Sequence, residues 1–323
     1  MIEISRAKLR VWSMLGKRGT FGMVLTEIAT EYNNLMAVTA DFTKSSGLER
    51  FSKLYPEKYL TVGIAEQNLI GISSGLASEG YNVFATSFAS FITTRCYEQI
   101  KIHCGYMKHD IKIVGLAAGF GVEQQGNTHY GLDDISLMRT IPNIVIVSPA
   151  DCMEVVKATE CLCKFDGPVY LRLCGERNDP IVYKEDYDFQ IGKAIVLREG
   201  RDVTIIATGT MVYQSLQVAE QLANEGVECA VINMHTIKPL DRAIVYEYCS
   251  NSQLVVTIEE GFISGGLGSA VAECLSQLNI CRPLDMIGLS SFPHPGEYNY
   301  LLEQCGLSVF QIAKRIKNKL RKK

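Results

Sequence analysis

Residues 59–75, YLTVGIAEQNLIGISSG, hold the pattern that decides the fold of this chain. An apolar strand end passes through Gly63 into a segment whose apolar residues recur with helical spacing, and Glu66 falls in its first turn. A carboxylate at such a position is most often a surface cap favoured by the helix dipole. The small and apolar neighbours of Glu66 instead predict a buried carboxylate, which needs a partner.

The same change from strand to helix recurs through the first half of the chain. Short apolar, β-branched runs predict strands at 35–39, 82–85, 111–115, 144–147 and 169–173. Helical periods lie between them at 21–32, 65–78, 88–103 and 151–163. Because parallel strands need crossover connections, this alternation predicts a mostly parallel sheet between helix layers.

A second α/β unit follows a charged connection. Residues 176–189, ERNDPIVYKEDYDF, lose the periodicity and contain Pro180, as expected of a linker between two cores. Strands are predicted again at 203–207, 228–232, 254–258 and 284–287, with helices at 212–224, from 241, and at 265–278. We therefore predict two three-layer α/β domains, at 1–180 and 190–323.

The composition is that of an ordinary globular protein. The 323 residues are 47% hydrophobic and 21% charged, with a formal charge of −3, so no global positive field favours nucleic acid or anionic lipid. The basic C-terminal segment, residues 314–323, is interpreted as a solvated helix face. No apolar run approaches about 18 residues and no signal-peptide pattern opens the chain, which predicts a cytoplasmic protein without a membrane partner.

The cysteines, the GGLG motif and the residues His235 and Lys238 are interpreted as parts of the fold and not as functional sites. The eleven cysteines are scattered without a CxxC pair, and Cys161 and Cys163 would face different sides of a helix, so we expect reduced thiols and no metal site. GGLG at 265–268 is not a dinucleotide fingerprint and is interpreted as a tight helix entry. His235 and Lys238 are expected to shape the loop that joins the domains.

Several longer motifs point to one family when they are taken together. They are VGIAEQN at 62–68, FATSFASF at 84–91, GNTHYGLDD at 126–134, RTIPNIVIVSPAD at 139–151, GPVYLRL at 167–173, NMHTIKPLD at 233–241 and EEGFISGGLGSAVAE at 259–273. In this order they resemble the thiamine-diphosphate enzymes of the transketolase family over nearly the whole chain. The chain is similar to the C-terminal subunit of split, two-subunit members. It is also similar to the matching half of deoxyxylulose-phosphate synthase and to beta subunits of 2-oxoacid dehydrogenase decarboxylases.

The resemblance implies a pyrimidine-binding domain followed by a transketolase C-terminal domain. Glu66 would then be catalytic, because its carboxyl would hydrogen-bond a ring nitrogen of the cofactor's aminopyrimidine. Phe88 and Phe91, which helical spacing alone would assign to core packing, would contact that ring. Asp41, otherwise a turn residue, would lie near the cofactor.

The resemblance also implies a substrate side for the site. His129, in a long glycine-rich loop, would bind substrate oxygen or relay a proton. Gln125 stands where transketolases carry an acid that anchors a substrate hydroxyl. Arg172, at a strand end, would hold a phosphate or carboxylate by a bidentate contact, with an interface salt bridge as an equal alternative.

The resemblance implies a partner because the sequence contains no Gly-Asp-Gly motif, with which the family binds Mg²⁺ and the cofactor diphosphate. An N-terminal subunit carrying that motif and a downstream asparagine would hold both in an α2β2 assembly. The implied reaction is transfer of a two-carbon ketol unit from a ketose, phosphorylated or not, to an aldehyde. Two alternatives stay open: decarboxylation of a 2-oxo acid with acyl transfer, and a non-catalytic assembly subunit.

Overall fold

Two β-sheets organise the molecule. The computed structural model describes residues 2–175 and 177–321, so Glu176, Lys322 and Lys323, which belong to the predicted linker and basic segment, lie outside the described residues. The strands are β1 Leu35–Thr39, β2 Tyr59–Thr61, β3 Asn82–Phe88, β4 Ile111–Ala118, β5 Val145–Val147, β6 Val169–Cys174, β7 Ile195–Arg198, β8 Val203–Ala207, β9 Cys229–Asn233, β10 Thr236–Lys238, β11 Leu254–Phe262 and β12 Leu284–Leu289. The first sheet has the order β10-β5-β6-β4-β3-β1-β2 and the second β12-β11-β8-β9-β7.

Helices cover both faces of each sheet. They are α1 Arg6–Ile28, α2 Glu49–Leu54, α3 Glu66–Ser78, α4 Ala89–Thr94, α5 Tyr97–Ile100, α6 Asp134–Arg139, α7 Cys152–Leu162, α8 Met211–Ala223, α9 Arg242–Cys249, α10 Leu267–Gln277, α11 Tyr298–Gln304 and α12 Val309–Arg321. One apolar cluster contains side chains of α1, α7, α8 and α12, and a second contains side chains of α3, α9 and α10. The predicted fold class, two mostly parallel three-layer α/β units, is therefore confirmed. Among the described helices, none has the length and apolar character needed to cross a bilayer.

Two predicted helices differ from those observed. The helix expected at 21–32 begins at Arg6 and is broken at Gly16, whose φ of 74° is outside the helical region. The helix expected at 88–103 is divided, because β3 continues to Phe88 and α4, α5 and a π-helical segment, Lys101–Tyr106, follow it. Phe88 therefore lies at a strand end, with its ring free to face the carboxyl edge of the sheet.

Strand β10 was not predicted, and it links the two halves of the chain. It pairs antiparallel with β5 at the edge of the first sheet, although it follows β9 of the second sheet. A three-residue strand is too short for its periodicity to be recognised. Its last residue, Lys238, donates through its ammonium to the Arg139 carbonyl at 2.9 Å. His235, just before the strand, is fully buried, with its ring 4.4 Å from that of Phe189. Both residues thus contact the domain junction, but Lys238 belongs to a strand there and not to the expected loop.

The connection between the sheets is anchored by buried carboxylates of the first domain. The Asp151 carboxylate accepts the backbone N–H of Tyr183 at 2.9 Å, and burial raises its pKa to about 7. The Glu154 carboxylate accepts the Tyr187 hydroxyl at 2.7 Å and the Asn233 side-chain amide at 2.9 Å. The carboxylates at the start of one helix therefore bind the linker and the second domain together.

Arg172 is a structural residue of this junction. It is 1% exposed, and its Nε donates to the Asp134 carboxylate at 2.7 Å. Its Nη2 donates to the Glu260 carbonyl at 2.8 Å and the Gly131 carbonyl at 3.2 Å. Of the two alternatives considered for Arg172, the structure contains a salt bridge, formed with Asp134 of the same domain.

Replacing one partner of this ion pair tests how much the pair contributes to the stability of the fold. We expect Asp134→Asn to lower the free energy of unfolding by about 3–5 kcal/mol, because it leaves the buried Arg172 charge unpaired. In denaturant titrations, the more exposed pair Arg198–Glu228 is the control, and Glu228→Gln is expected to cost at most about 1 kcal/mol. Losses of equal size in the two variants would contradict a structural role for Arg172.

A close approach between α1 and the loop after β1 gives a second test. A Cβ atom on Gly22 would lie 2.2 Å from the Gly47 carbonyl oxygen, whereas a Cβ on Gly75, an exposed position of α3, meets nothing within 4 Å. We expect Gly22→Ala to destabilise the chain by about 1–3 kcal/mol through overpacking. The same change at Gly75 should stabilise it by about 0.5–1 kcal/mol through helix propensity. Thermal unfolding measures both, and stabilisation by Gly22→Ala would refute the close contact.

Candidate active site at the carboxyl edge of the first sheet

Three adjacent strands end where the candidate residues lie. Strands β4, β3 and β1 are neighbours and parallel, so the segments that follow them meet at one edge of the sheet. These segments carry Phe42 after β1, Phe91 in α4 after β3, and His129 in the loop after β4. Open α/β sheets bind ligands at such an edge.

Glu66 is buried at the beginning of α3. The chain turns at Gly63, whose φ is 71°, and Ala65 precedes the helix in a non-helical conformation. The Glu66 side chain is only 5% exposed, and one carboxylate oxygen accepts Nη1 of Arg95 at 3.0 Å. The burial expected for Glu66 is therefore observed, and an exposed capping role does not describe this residue.

An aromatic cluster lies at the same edge. The ring centroid of Phe88 is 4.3 Å from that of Phe42 and 5.8 Å from that of Phe91. The His129 ring lies edge-on to Phe91, at 5.2 Å. The structure thus brings together Phe88, Phe91 and His129 as predicted, and adds Phe42. Aromatic faces of this kind bind flat heteroaromatic rings without adding charge.

Arg95 connects the aromatic cluster to the buried acid. Its guanidinium lies 3.8 Å from the centre of the Phe91 ring while it pairs with Glu66, and its side chain is 48% exposed. The adjacent Cys96 thiol stays protonated, because burial and then the negative charge of Glu66 raise its pKa to about 12. Neither Arg95 nor Phe42 was predicted from the sequence; the spacing of four between Phe91 and Arg95 was the available signal for the first.

His129 is held by its backbone as well as by its ring. Its carbonyl accepts the Ser90 hydroxyl at 2.9 Å, and its N–H donates to the Gly126 carbonyl at 2.9 Å. The Thr128 hydroxyl lies 2.9 Å from Nδ1 of the ring. Since the residue is half-buried, His129 is both oriented and accessible from the edge of the sheet.

Two further candidates lie at the rim of this edge. Asp41 is exposed and has a φ of 64°, which bends the chain between β1 and Phe42. Gln125 is exposed and ends the short 3-10 turn Glu123–Gln125, in the same loop as His129. Both side chains are therefore open to a ligand that approaches from solvent, in contrast to Arg172.

A basic cavity lies on the same edge, toward α1. Its volume is about 760 Å³, and it lies between α1, the segment after β1 and the end of β6. Among the described residues of its lining, the cationic side chains Arg18, Lys44, Arg50 and Arg177 outnumber the single acid, Glu49. The Lys17 ammonium is buried and paired with the Asp179 carboxylate at 2.7 Å. This cavity was not predicted, because its lining comes from three separate segments of the sequence. Such a surface favours an anionic ligand.

The second domain also has a buried acid at a helix start, but there the helix N-terminus is occupied. Gly266 precedes α10, and the Glu259 carboxylate accepts the N–H groups of Leu267 and Gly268, both at 2.8 Å. Burial raises the pKa of Glu259 to about 7. GGLG is therefore a tight helix entry, as predicted, and its amides bind a side chain of the same chain.

The residues at the carboxyl edge of the first sheet fit the aminopyrimidine ring of the expected cofactor, thiamine diphosphate. A buried carboxylate beside an apolar aromatic cluster is suited to a flat ring that carries a protonatable nitrogen. Across residues 2–175 and 177–321, no group of three or more His, Cys, Asp or Glu side chains is placed to hold a metal ion. All eleven cysteines, which fall within these ranges, are free thiols.

Comparison with known proteins agrees with this arrangement. The model of the transketolase pyrimidine-binding domain matches residues 14–177, and that of the transketolase C-terminal domain matches residues 192–312. A 6-deoxy-6-sulfo-D-fructose transketolase subunit from Clostridium sp. is 38% identical over 298 residues, which cover 92% of each chain. An apulose-4-phosphate transketolase subunit from Phocaeicola vulgatus is 36% identical over 86% of this chain and 88% of its own.

A solved structure extends the likeness to three dimensions. A split-gene transketolase, described as an inactive beta4 tetramer, is 35% identical and superposes with a TM-score of 0.84; the match covers 94% of this chain and 97% of that one. Both domain models, the similar subunits and this structure agree over nearly the full length of the chain. The chain therefore belongs to the transketolase family, with its pyrimidine-binding and C-terminal domains, and it is similar over nearly its full length to subunits of split members.

Proposed function

We propose that this chain supplies the acid–base half of a thiamine-diphosphate-dependent transketolase that transfers a two-carbon ketol unit from a ketose donor to an aldehyde acceptor. The observation that carries the proposal is the buried Glu66 carboxylate at the start of α3, next to the cluster of Phe42, Phe88 and Phe91. Burying a carboxylate lowers the stability of the folded chain unless the group is paired. The position of Glu66 at the sheet edge where α/β proteins bind ligands suggests that its burial serves ligand binding.

Glu66 would hold the aminopyrimidine of the cofactor and control its proton. When bound, thiamine diphosphate supplies a nucleophilic carbon and an electron sink for breaking the donor's carbon–carbon bond. The Glu66 carboxyl would share a proton with a ring nitrogen, while Phe88 and Phe91 contact the ring face. Arg95 now occupies one oxygen of Glu66 at 3.0 Å, so ring binding would share or replace this contact.

The residues at the rim would act on the substrate. His129, oriented through Ser90 and open to the edge, is placed to bind a substrate oxygen or to relay a proton. Asp41 would border the cofactor beside Phe42, and Gln125 would offer an amide to a substrate hydroxyl. We leave Arg172 out of this set, since it is buried and its Nε and Nη2 donate to groups at the domain junction.

A partner subunit would complete the enzyme. The similar chains from Clostridium and Phocaeicola are named as transketolase subunits, which supports a partner subunit. We propose that this partner is an N-terminal subunit that carries the Gly-Asp-Gly motif and holds Mg²⁺ and the diphosphate. We propose an α2β2 assembly that is active only when both subunits are present. Eleven free cysteines favour a reducing compartment, so we propose a cytoplasmic enzyme.

Removing the acid of Glu66 tests the central step. In the complex with its partner, thiamine diphosphate and Mg²⁺, we expect Glu66→Gln to slow both exchange of the cofactor C2 proton and ketol transfer by about 100- to 10,000-fold. Glu79→Gln, at the exposed C-terminal end of the same helix, is the control and should leave both rates unchanged. NMR in deuterated buffer measures the exchange, and an unchanged exchange rate in Glu66→Gln would refute the assignment.

The basic cavity supports an anionic donor or acceptor, such as a sugar phosphate. We expect Lys44→Gln combined with Arg177→Gln to raise the KM of a ketose phosphate by at least about 100-fold, because the double variant loses two charge-assisted contacts, each worth about 1.5–3 kcal/mol. The KM of hydroxypyruvate, which has no phosphate, should change little. Steady-state kinetics of the complex, with Lys164→Gln as a control outside the cavity, measures both, and equal changes for the two donors would contradict phosphate binding there.

A 2-oxo acid donor is the second candidate. Gln125 removes a carboxylate from the loop of His129, and its exposure at the rim leaves that position open to a donor carrying its own negative charge. Product analysis separates the candidates: hydroxypyruvate or a ketose phosphate with an aldehyde should yield a lengthened ketose, whereas turnover of pyruvate with release of carbon dioxide would favour decarboxylation. A complex that binds no thiamine diphosphate would instead indicate a non-catalytic assembly subunit.

A further inference from the structure

The loop that carries His129 is held by the second domain. It runs from Gly119, after β4, to Leu132, before α6. Three hydrogen bonds join this loop to the second domain. At its beginning the Phe120 N–H donates to the Glu260 carboxylate at 2.6 Å, and at its tip the Asn127 amide donates to the Pro293 carbonyl at 2.8 Å. At its end the Leu132 carbonyl accepts the Phe262 N–H at 2.8 Å. The conformation of this loop is therefore not set by the first domain alone.

Glu260 makes the central contact. Its side chain is 1% exposed; Oε1 accepts the Phe120 N–H, and Oε2 accepts the hydroxyls of Thr210 at 2.5 Å and Tyr298 at 2.6 Å. Burial and the charge of Glu260 raise the pKa of Tyr298, so its hydroxyl stays protonated and donates. A Cβ on Gly119 would lie 2.1 Å from Oε1, so only glycine allows the carboxylate this close to the loop.

Glu260 and Glu259 are adjacent but serve different segments. Both are 1% exposed, and Glu259 accepts two N–H groups of α10 within its own domain. Glu260 instead reaches across to the loop after β4. The contacts of Glu259 all lie within the second domain, whereas those of Glu260 are divided: Oε2 accepts two hydroxyls of its own domain, and Oε1 accepts the Phe120 N–H of the first domain.

The far end of the same loop enters the candidate site. The His129 N–H donates to the Gly126 carbonyl, and the His129 carbonyl accepts the Ser90 hydroxyl. The loop therefore spans from the Glu260 carboxylate to the ring that lies 5.2 Å from Phe91. A shift at Phe120 would be transmitted to His129, and displacement of a catalytic group by about 1 Å can cost about 100-fold in rate.

We propose that Glu260 is a positioning residue of the enzyme, which fixes the His129 loop through the Phe120 N–H and so gives the second domain a direct part in catalysis. This inference rests on the proposed role of His129. Glutamine is the conservative replacement at this position, because its amide oxygen can still accept the Phe120 N–H, while its amide nitrogen can donate to the Thr210 and Tyr298 hydroxyls.

Hydrogen exchange tests the positioning without any need for activity. In the isolated chain, we expect Glu260→Ala to increase amide exchange in residues 119–132 by at least about 10-fold, whereas Glu260→Gln stays close to the parent chain. Glu259→Gln is the matched control, and it should affect exchange in α10 but not in the loop. Unchanged loop exchange in Glu260→Ala, or the same increase in Glu259→Gln, would overturn the proposal.

Kinetics of the reconstituted enzyme tests the consequence. We expect Glu260→Ala to lower kcat by about 100-fold with little change in KM, and Glu260→Gln to recover most of it. In a His129→Ala background, Glu260→Ala should cost almost nothing more, because both changes remove the same contribution. Additive losses would overturn the proposal. A separate outcome concerns the proposed function: if His129→Ala alone leaves kcat unchanged, the proposed role of His129 is wrong. Increased exchange of residues 119–132 in Glu260→Ala would then still show that Glu260 holds the loop.

Discussion

The need of buried carboxylates for donors organises this molecule. Asp134 binds Arg172, Asp151 and Glu154 bind the linker and the second domain, and Glu260 binds a backbone N–H of the opposite domain. Each group would be strongly destabilising without its partners, so the two sheets have one relative arrangement that satisfies them. Glu66 obeys the same constraint, but its partner, Arg95, is half-exposed and therefore the easiest to exchange. The acids at the junction therefore keep their buried partners, whereas Glu66 can exchange Arg95 for a ligand.

Local patterns predicted the parts of the fold that depend on local forces. Strands such as β1 and β8 were correctly located because five consecutive apolar or β-branched residues carry their own signal. The burial of Glu66 followed from its apolar neighbours in the same helix. Phe42 could not be found in this way, because it joins the site through the order β4-β3-β1, a property of strand pairing over long distances. Arg95 left one local signal, its spacing of four from Phe91, but its pairing with Glu66 depends on contacts between separate helices. The family resemblance identified residues that lie in shared motifs. It did not identify the hydrogen bonds between the two domains, such as that from the Phe120 N–H to Glu260.

The candidate site is built from one edge of one sheet but is supported from the other sheet. The aromatic cluster and Glu66 lie on elements of the first domain, whose strands fix their spacing. His129 lies on a loop, and loops that carry functional groups need support from a rigid neighbour. That support comes from β11, which carries Glu259 and Glu260. Neighbouring residues of one strand thus stabilise a helix on one side and a functional loop on the other.

Strand β10 has a consequence for how this chain can be divided. Because residues 236–238 form an edge of the first sheet, a fragment that stopped in the linker would leave β5 with unpaired backbone groups along its outer side. An exposed strand of that kind invites pairing with other chains and aggregation. The two units are therefore distinct in topology, but the first sheet has its outer strand only when the chain continues past the linker into the second unit.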